Sequence, residues 1–247
     1  MTSGQLPPVM VLGCGRSGTS IFGELFNDLA NYSYRSEPPF EDVLSADYSV
    51  PLAFKVPREP ADIVADPGLS FPLDVLLQRQ PAFKFFWIVR HPLDAICSLR
   101  IGIAKNWGHH PRPPDWREWT GRPLVEQCAH HWNHINSTGY KRVAHLATVV
   151  RFEAMIADPA DFHRAISRQL GIAEDLASPG LQAWQRRVQN TNNADFVEAM
   201  TSRDYSRPDH SVRVGRWREN LSDDDIARIR PIVEATARQF GYGLEKA

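Results

Sequence analysis

Apolar positions along the chain follow two alternating rhythms. Short runs made up mostly of apolar residues, the kind that fill a buried parallel strand, occur at Val9-Met10-Val11-Leu12, at Leu52 to Val56 between two prolines, at Phe83 to Val89 and at Thr148 to Phe152. Between them the spacing changes to three and four. Ile21, Phe22, Leu25, Phe26 and Leu29 predict a helix over 19–29, and further helices are expected at 73–77, 124–145, 161–170 and 222–240. Pro92 sits where the first turn of a helix tolerates proline, so the chain after Val89 should turn into a helix through Asp94, Ile96 and Leu99. Ser222 followed by Asp225 has the spacing of an N-terminal capping box. The stretch 106–123, rich in Pro, Trp and His, reads as a functional loop. Strands alternating with helices imply an α/β protein with a central parallel sheet flanked by helices. No repeat or linker divides the chain, so residues 1–247 are expected to form a single domain.

Composition narrows the possible partners. Lys plus Arg total 28 against 29 Asp plus Glu, a formal net charge of −1. Such a chain has no global field to draw in nucleic acid, and any anion site must be local. Cys14, Cys97 and Cys128 are odd in number and far apart, which excludes a secreted disulfide framework and a zinc knuckle. No apolar run approaches the ~18 residues of a membrane span, and the opening MTSGQLPP lacks the layout of a signal peptide. The expectation is a cytoplasmic protein with no membrane span.

The first segment with chemistry is Gly13-Cys14-Gly15-Arg16-Ser17-Gly18-Thr19-Ser20, between a strand and a helix. Successive backbone N–H groups in such a turn form an anion nest. Gly13-x4-Gly18 has the Walker A spacing, but Thr19 stands where a nucleoside triphosphatase needs Lys. The cation is Arg16, within the loop. A P-loop-like three-layer fold that binds an anion without hydrolysing ATP fits these residues, and a plain tight connection fits the glycines alone. His130 and His134, four apart beside His131, have metal-ligand spacing but no obvious third ligand, so no metal is expected.

Arg16-Ser17-Gly18-Thr19 after a strand resembles the 5′-phosphosulfate loop of sulfotransferases. The fuller RSGTSIFGELFN with the following SEP is similar to the carbohydrate and tyrosylprotein branches. Phe86 to Ser98, a strand ending in Arg90 with Ser98 eight residues on, resembles the family's second phosphate motif. Val149 to Glu153 with Asp158-Pro159 behind it, and Val214 to Leu221, resemble a structural strand and the Gly-x-Trp segment that closes over the nucleotide.

The resemblance implies 3′-phosphoadenosine 5′-phosphosulfate (PAPS) as donor and 3′-phosphoadenosine 5′-phosphate (PAP) as product. It implies that Gly15, Arg16, Ser17, Gly18, Thr19 and Ser20 hold the 5′-phosphosulfate, and that Arg90 and Ser98 hold the 3′-phosphate. Arg207 and Arg213 would reach the phosphate or adenine region. Arg16 doubles as the cation that stabilises the leaving bridge oxygen.

The histidine base of the small-molecule branch is missing, because no His lies between residues 17 and 90. Glu37 matches the tyrosylprotein branch's base, with Glu41 and Asp42 as rivals and His109 as a possible helper. The acceptor would carry a hydroxyl: a sugar, phenol, lipid alcohol or peptide tyrosine. Trp107, Trp116 and Trp119 either stack on it or anchor their loop to the core. A kinase using ATP, or a nucleotide-binding module without catalysis, are the alternatives, and either a monomer or a homodimer fits.

Overall fold

The computed structural model describes residues 6–29, 32–80, 82–172, 178–191 and 211–245. Five parallel strands form one sheet in the order β2-β3-β1-β4-β5: β1 Val9–Gly13, β2 Ser33–Ser36, β3 Leu52–Lys55, β4 Lys84–Val89 and β5 Ala147–Arg151. Side chains alternate across each strand, and the alternation divides the core in two. Met10, Leu12, Phe54, Phe85, Trp87 and Val89 face one layer, while Val9, Val11, Ala53, Phe86 and Ile88 face the other.

Helices cover both faces. Following β1, α1 (Thr19–Glu24) buries Ile21 and Phe22 on the Val9/Val11 side. A tight 3₁₀ turn over Leu25–Asn27 extends it, so the helical rhythm expected to residue 29 ends in a tighter coil. The edge strand β2 and the short α2 (Phe40–Leu44) behind it had no signal in the hydrophobic rhythm. On the opposite face lie α3 (Leu73–Arg79) and α4 (Pro92–Ala104). A small α5 (Trp116–Trp119) interrupts the loop 106–123. The long helix expected over 124–145 runs to Val143 as α6 (Leu124–His134), a π turn over Ile135–Gly139 and α7 (Tyr140–Val143). Buried Trp87 donates its indole N–H to Asn136 in that π turn at 3.1 Å.

The C-terminal half adds α8 (Phe152–Ala157), α9 (Pro159–Leu170), α10 (Pro179–Arg187), α11 (Trp217–Asn220) and α12 (Asp223–Gln239). Asp158 caps α9 by accepting from Asp161 N, and the Ser222–Asp225 capping box starts α12 as its spacing predicts. Among the described residues, no helix is long and apolar enough to cross a membrane.

This topology places the site. The helix after β1 lies on one face and the helices after β4 on the other, so the chain reverses direction between these adjacent strands. Ligands of open α/β sheets bind at such a switch point, outside the carboxyl ends of the strands. The two phosphate-like motifs follow β1 and β4.

Candidate functional site

The turn after β1 is shaped by backbone conformations that few residues adopt. Gly13, Arg16 and Gly18 have φ of 146°, 66° and 96°. A Cβ on Gly18 would lie 2.4 Å from the Phe152 ring, so the position is closed to any side chain by both strain and space. The alternating φ turns consecutive N–H groups toward one concavity. Ser17 is fully buried, and its hydroxyl has no hydrogen-bond partner among the described residues.

Arg90 ends β4, and its guanidinium donates to the carbonyl of Arg16 at 3.0 Å, tying the second motif to the first across 74 residues of sequence. It also donates to the carbonyl of Arg213 and lies 4.4 Å over the Phe152 ring. Burial pulls its pKa down, against the pull of Asp94 and Glu153. Ser98 is buried on α4 and accepts from Arg216 Nη1 at 2.5 Å. Asp94, one turn before Ser98, holds the C-terminal segment here: its two carboxylate oxygens accept from Gly215 N at 2.8 Å and Trp217 N at 3.0 Å. The geometry thus sets Arg90 against the loop from Gly15 to Ser20 and ties the Arg213 backbone to Arg90, while Ser98 is bonded to Arg216. Arg207 lies outside the described residues.

Glu37 reaches the same loop through a residue that the sequence reading passed over. Its backbone at the end of β2 has φ of 51°, and its N–H donates to the Lys55 carbonyl at 2.9 Å. The Lys55 ammonium, at the end of β3, donates both to the Glu37 carboxylate and, at 3.1 Å, to Ser20 Oγ. The Lys55 side chain is 4% exposed and that of Glu37 35%. The carboxylate therefore opens to solvent while the ammonium is buried against the phosphate loop. The sequence shows Lys55 only as a charge in an otherwise apolar run; the pairing of β3 with β1 and β2 is what brings it to the loop.

The loop 106–123 resolves toward anchoring. Trp107 is buried and donates to His131 Nδ1 at 3.3 Å, and Trp119 stacks on His130 with ring centroids 4.1 Å apart. Asp115 binds His130 Nε2 at 2.8 Å. His109 is buried against Gly15, where an added Cβ would lie 3.3 Å from its Nδ1. Burial, with Arg16 nearby, pushes its pKa down to about 3, so it is a neutral support beneath the loop. Among the described residues, no group of three or more His, Cys, Asp and Glu is arranged to hold a metal. Cys14, Cys97 and Cys128 are buried free thiols, and burial raises the pKa of each.

The donor set suits a multiply charged anion. Arg90 Nε and Arg216 Nε, like Ser17 Oγ, are buried donors without hydrogen-bond partners among the described residues. Buried polar groups are normally satisfied, so this many in one crevice mark a place for ligand oxygens.

Residues 39–176, more than half of the chain, match the model of a family described as sulfotransferases. That stretch contains Arg90 and Ser98 and begins after the glycine-rich turn and Glu37. No curated protein matches the chain. Among solved structures, the sulfotransferase domain from the curacin biosynthetic pathway is 13% identical with a TM-score of 0.61, covering 98% of this chain and all of that one. Mouse sulfotransferase SULT7A1 complexed with PAP is 13% identical with a TM-score of 0.59, covering 95% of this chain and 84% of that one. Retinol dehydratase, in complex with androsterone and the inactive cofactor PAP, is 15% identical with a TM-score of 0.53, over 96% of this chain and 82% of that one. At these identities the likeness is one of fold.

Proposed function

This chain belongs to the sulfotransferase family, and we propose that it moves the sulfuryl group of PAPS to the hydroxyl of a small-molecule or carbohydrate acceptor. The observation that carries the reading is the bond from Arg90 to the Arg16 carbonyl, which joins two anion-binding turns into one crevice. The loop from Gly15 to Ser20 would take the 5′-phosphosulfate, its N–H groups and the Arg16 side chain facing the sulfate end. Arg90 and Ser98 would take the 3′-phosphate, with Arg213 beside them. Guanidinium groups match phosphate geometry through paired hydrogen bonds. No step in this scheme calls for a metal.

Glu37 accepts the proton of the attacking hydroxyl. As the new O–S bond forms, the bond from sulfur to the bridging phosphate oxygen breaks, and the leaving PAP takes up the electron pair. Charge grows on that oxygen, and Lys55 and Arg16 are the cations that would offset it. Lys55 also orients the Glu37 carboxylate, so base and cation are held as one unit.

The test is transfer of labelled sulfate from PAPS across a panel of sugars, phenols, lipid alcohols and tyrosine peptides. Transfer to at least one, abolished in Glu37→Gln while PAP binding persists, is the expected result. Near-normal turnover in Glu37→Gln removes Glu37 from the mechanism. PAP binding without transfer to any acceptor favours a non-catalytic module.

A further inference from the structure

Two carboxylates act on the buried Lys55 ammonium, and the transfer step uses only Glu37. The other is Glu24, the last residue of α1. Residues four apart share one face of a helix, so Glu24 lies one turn beyond Ser20, whose hydroxyl accepts from Lys55 at 3.1 Å. Strand β2 packs against the same side of α1, with the Tyr34 ring laid on Gly23 so closely that a Cβ there has no room. Burial raises the pKa of Tyr34, and Glu24 and Glu37 both add to the rise, so the phenol is within reach of the two charges. The charged groups facing Glu24 are Arg187 from α10, Lys55 from β3 and Asp28 just past α1. The Glu24 side chain is 14% exposed, and its Oε2 lies 3.7 Å from Arg187 Nη2 with no hydrogen-bond partner among the described residues. Burial raises its pKa, while Arg187 and Lys55 favour the ionised form.

A buried carboxylate with an oxygen left unbonded is costly. An apolar residue would join α1 to its neighbours at least as well. What the carboxylate adds is a fixed negative charge beside the ammonium, on the helix that carries Ser20. That charge matters during transfer. Beforehand, Lys55 is drawn by Glu37 from β2 and by Glu24 from α1. The acceptor's proton then moves from its hydroxyl to Glu37 and goes no further, which ends the first pull. We propose that Glu24 is a positioning residue for the transfer: its charge keeps the Lys55 ammonium against Ser20 and the phosphosulfate loop while Glu37 is neutralised. The cation then meets the charge growing on the bridging oxygen. Glu24 itself makes and breaks no bond. The inference rests on the transfer reading above.

The test combines three measurements on the full chain: single-turnover transfer from PAPS to the acceptor found in the panel above, calorimetric titration with PAP, and crystal structures of the PAP complex. Wild type is compared with Glu24→Gln, Arg187→Met, Lys55→Met and the Glu24→Gln/Lys55→Met double variant. Glutamine keeps the shape of Glu24 and removes its charge. The expected result is a transfer rate about 10-fold lower in Glu24→Gln, the scale of coupling between neighbouring residues, with PAP affinity changed less than threefold. Lys55 Nζ should leave Ser20 Oγ in that variant's crystal structure. In the Lys55→Met background the same substitution should change the rate less than twofold, because Glu24 acts through Lys55. Arg187→Met breaks the ion pair but leaves the carboxylate facing Lys55, and its rate should stay within threefold of wild type. A wild-type rate in folded Glu24→Gln, a PAP affinity that falls in step with the rate, or Lys55 still bonded to Ser20 overturns the proposal while the transfer reading stands. Additive losses in the double variant overturn it as well. So does a loss in Arg187→Met equal to that in Glu24→Gln, which would make Glu24 a structural tie to α10. A wild-type protein that sulfates no acceptor removes the transfer reading, and this inference with it. Should Glu24→Gln fail to fold, Glu24→Asp sets the charge back by one methylene. It is expected to slow transfer with PAP affinity kept, and an unchanged rate again overturns the proposal.

Discussion

Replacing Lys55 with Met keeps most of the side-chain stem and deletes the charge between base and phosphate loop. The ammonium makes two contacts, to Glu37 and at 3.1 Å to Ser20 Oγ. Breaking a fully buried ion pair costs about 3–5 kcal/mol. Here the Glu37 side chain is 35% exposed, so water can solvate the carboxylate left behind. The loss of stability should then be ~1–2 kcal/mol, which in a chain of this size lowers Tm by roughly 2–8 °C. The catalytic cost is expected to be larger. A preorganised cation facing the charge that develops in the transition state is worth ~10²–10³ in kcat. Single-turnover transfer from PAPS, run well below the variant's Tm, measures this. PAP affinity should fall by much less than the rate, because the same oxygen carries its charge in bound PAP while the loop and Arg90 still hold the nucleotide. A folded Lys55→Met enzyme that keeps kcat within threefold of wild type refutes the role of Lys55. So does one whose PAP binding falls in step with its rate.

Other outcomes follow from the same geometry. Gly18→Ala should abolish PAP binding in calorimetry, since φ of 96° and the Phe152 ring at 2.4 Å both oppose a Cβ. Wild-type affinity in that variant would mean that the loop can relax. Ser222→Ala removes the capping box of α12 and should cost about 1 kcal/mol in urea denaturation, without changing donor affinity. Stability should also fall with acid. The unfolded chain protonates its histidines near pH 6.5, whereas burial holds His109 neutral down to about 3 and His131 neutral well below 6.5. The unfolded state then binds more protons in that window, so stability is full above pH 6.5 and drops as pH falls toward 3. At pH 5 His109 alone should remove about 2 kcal/mol, and His131 adds to the loss in the same direction. His131→Gln, whose side-chain carbonyl can accept from Trp107, should reduce the loss. A urea midpoint unchanged between pH 7 and pH 5 would contradict this.

How much of this was legible in the sequence differs from element to element. The central strands β1, β3 and β4 were visible because parallel strands covered on both faces are largely apolar runs, and the edge strand β5 appeared near its expected place through the Val149-Val150 pair. The edge strand β2 was not visible, since Ser33-Tyr34-Arg35-Ser36 is largely exposed and carries no apolar signal. The phosphate loop, Arg90 and Ser98 were legible because their chemistry is local: a glycine turn after one strand, an arginine after another. Lys55 and Arg216 were not, because their roles depend on contacts between distant segments, β3 with β2 and the C-terminal turn with α4. Asp94 looked like an ordinary acidic residue in the first turn of a helix. Its partners lie more than a hundred residues away. The tryptophans of 106–123 showed the limit of composition, since the same residues would serve an open acceptor site or, as here, a loop anchored on α6.

The central claim is that the crevice between β1 and β4 is built for a nucleotide carrying both a 5′- and a 3′-phosphate. Isothermal titration of the full-length protein with PAP, ADP and ATP, without magnesium and then with it, tests this most directly. The account predicts that PAP binds at least about 100-fold more tightly than either of the others and that magnesium makes no difference. Equal binding of ADP, magnesium-dependent ATP binding or no binding of PAP would contradict it.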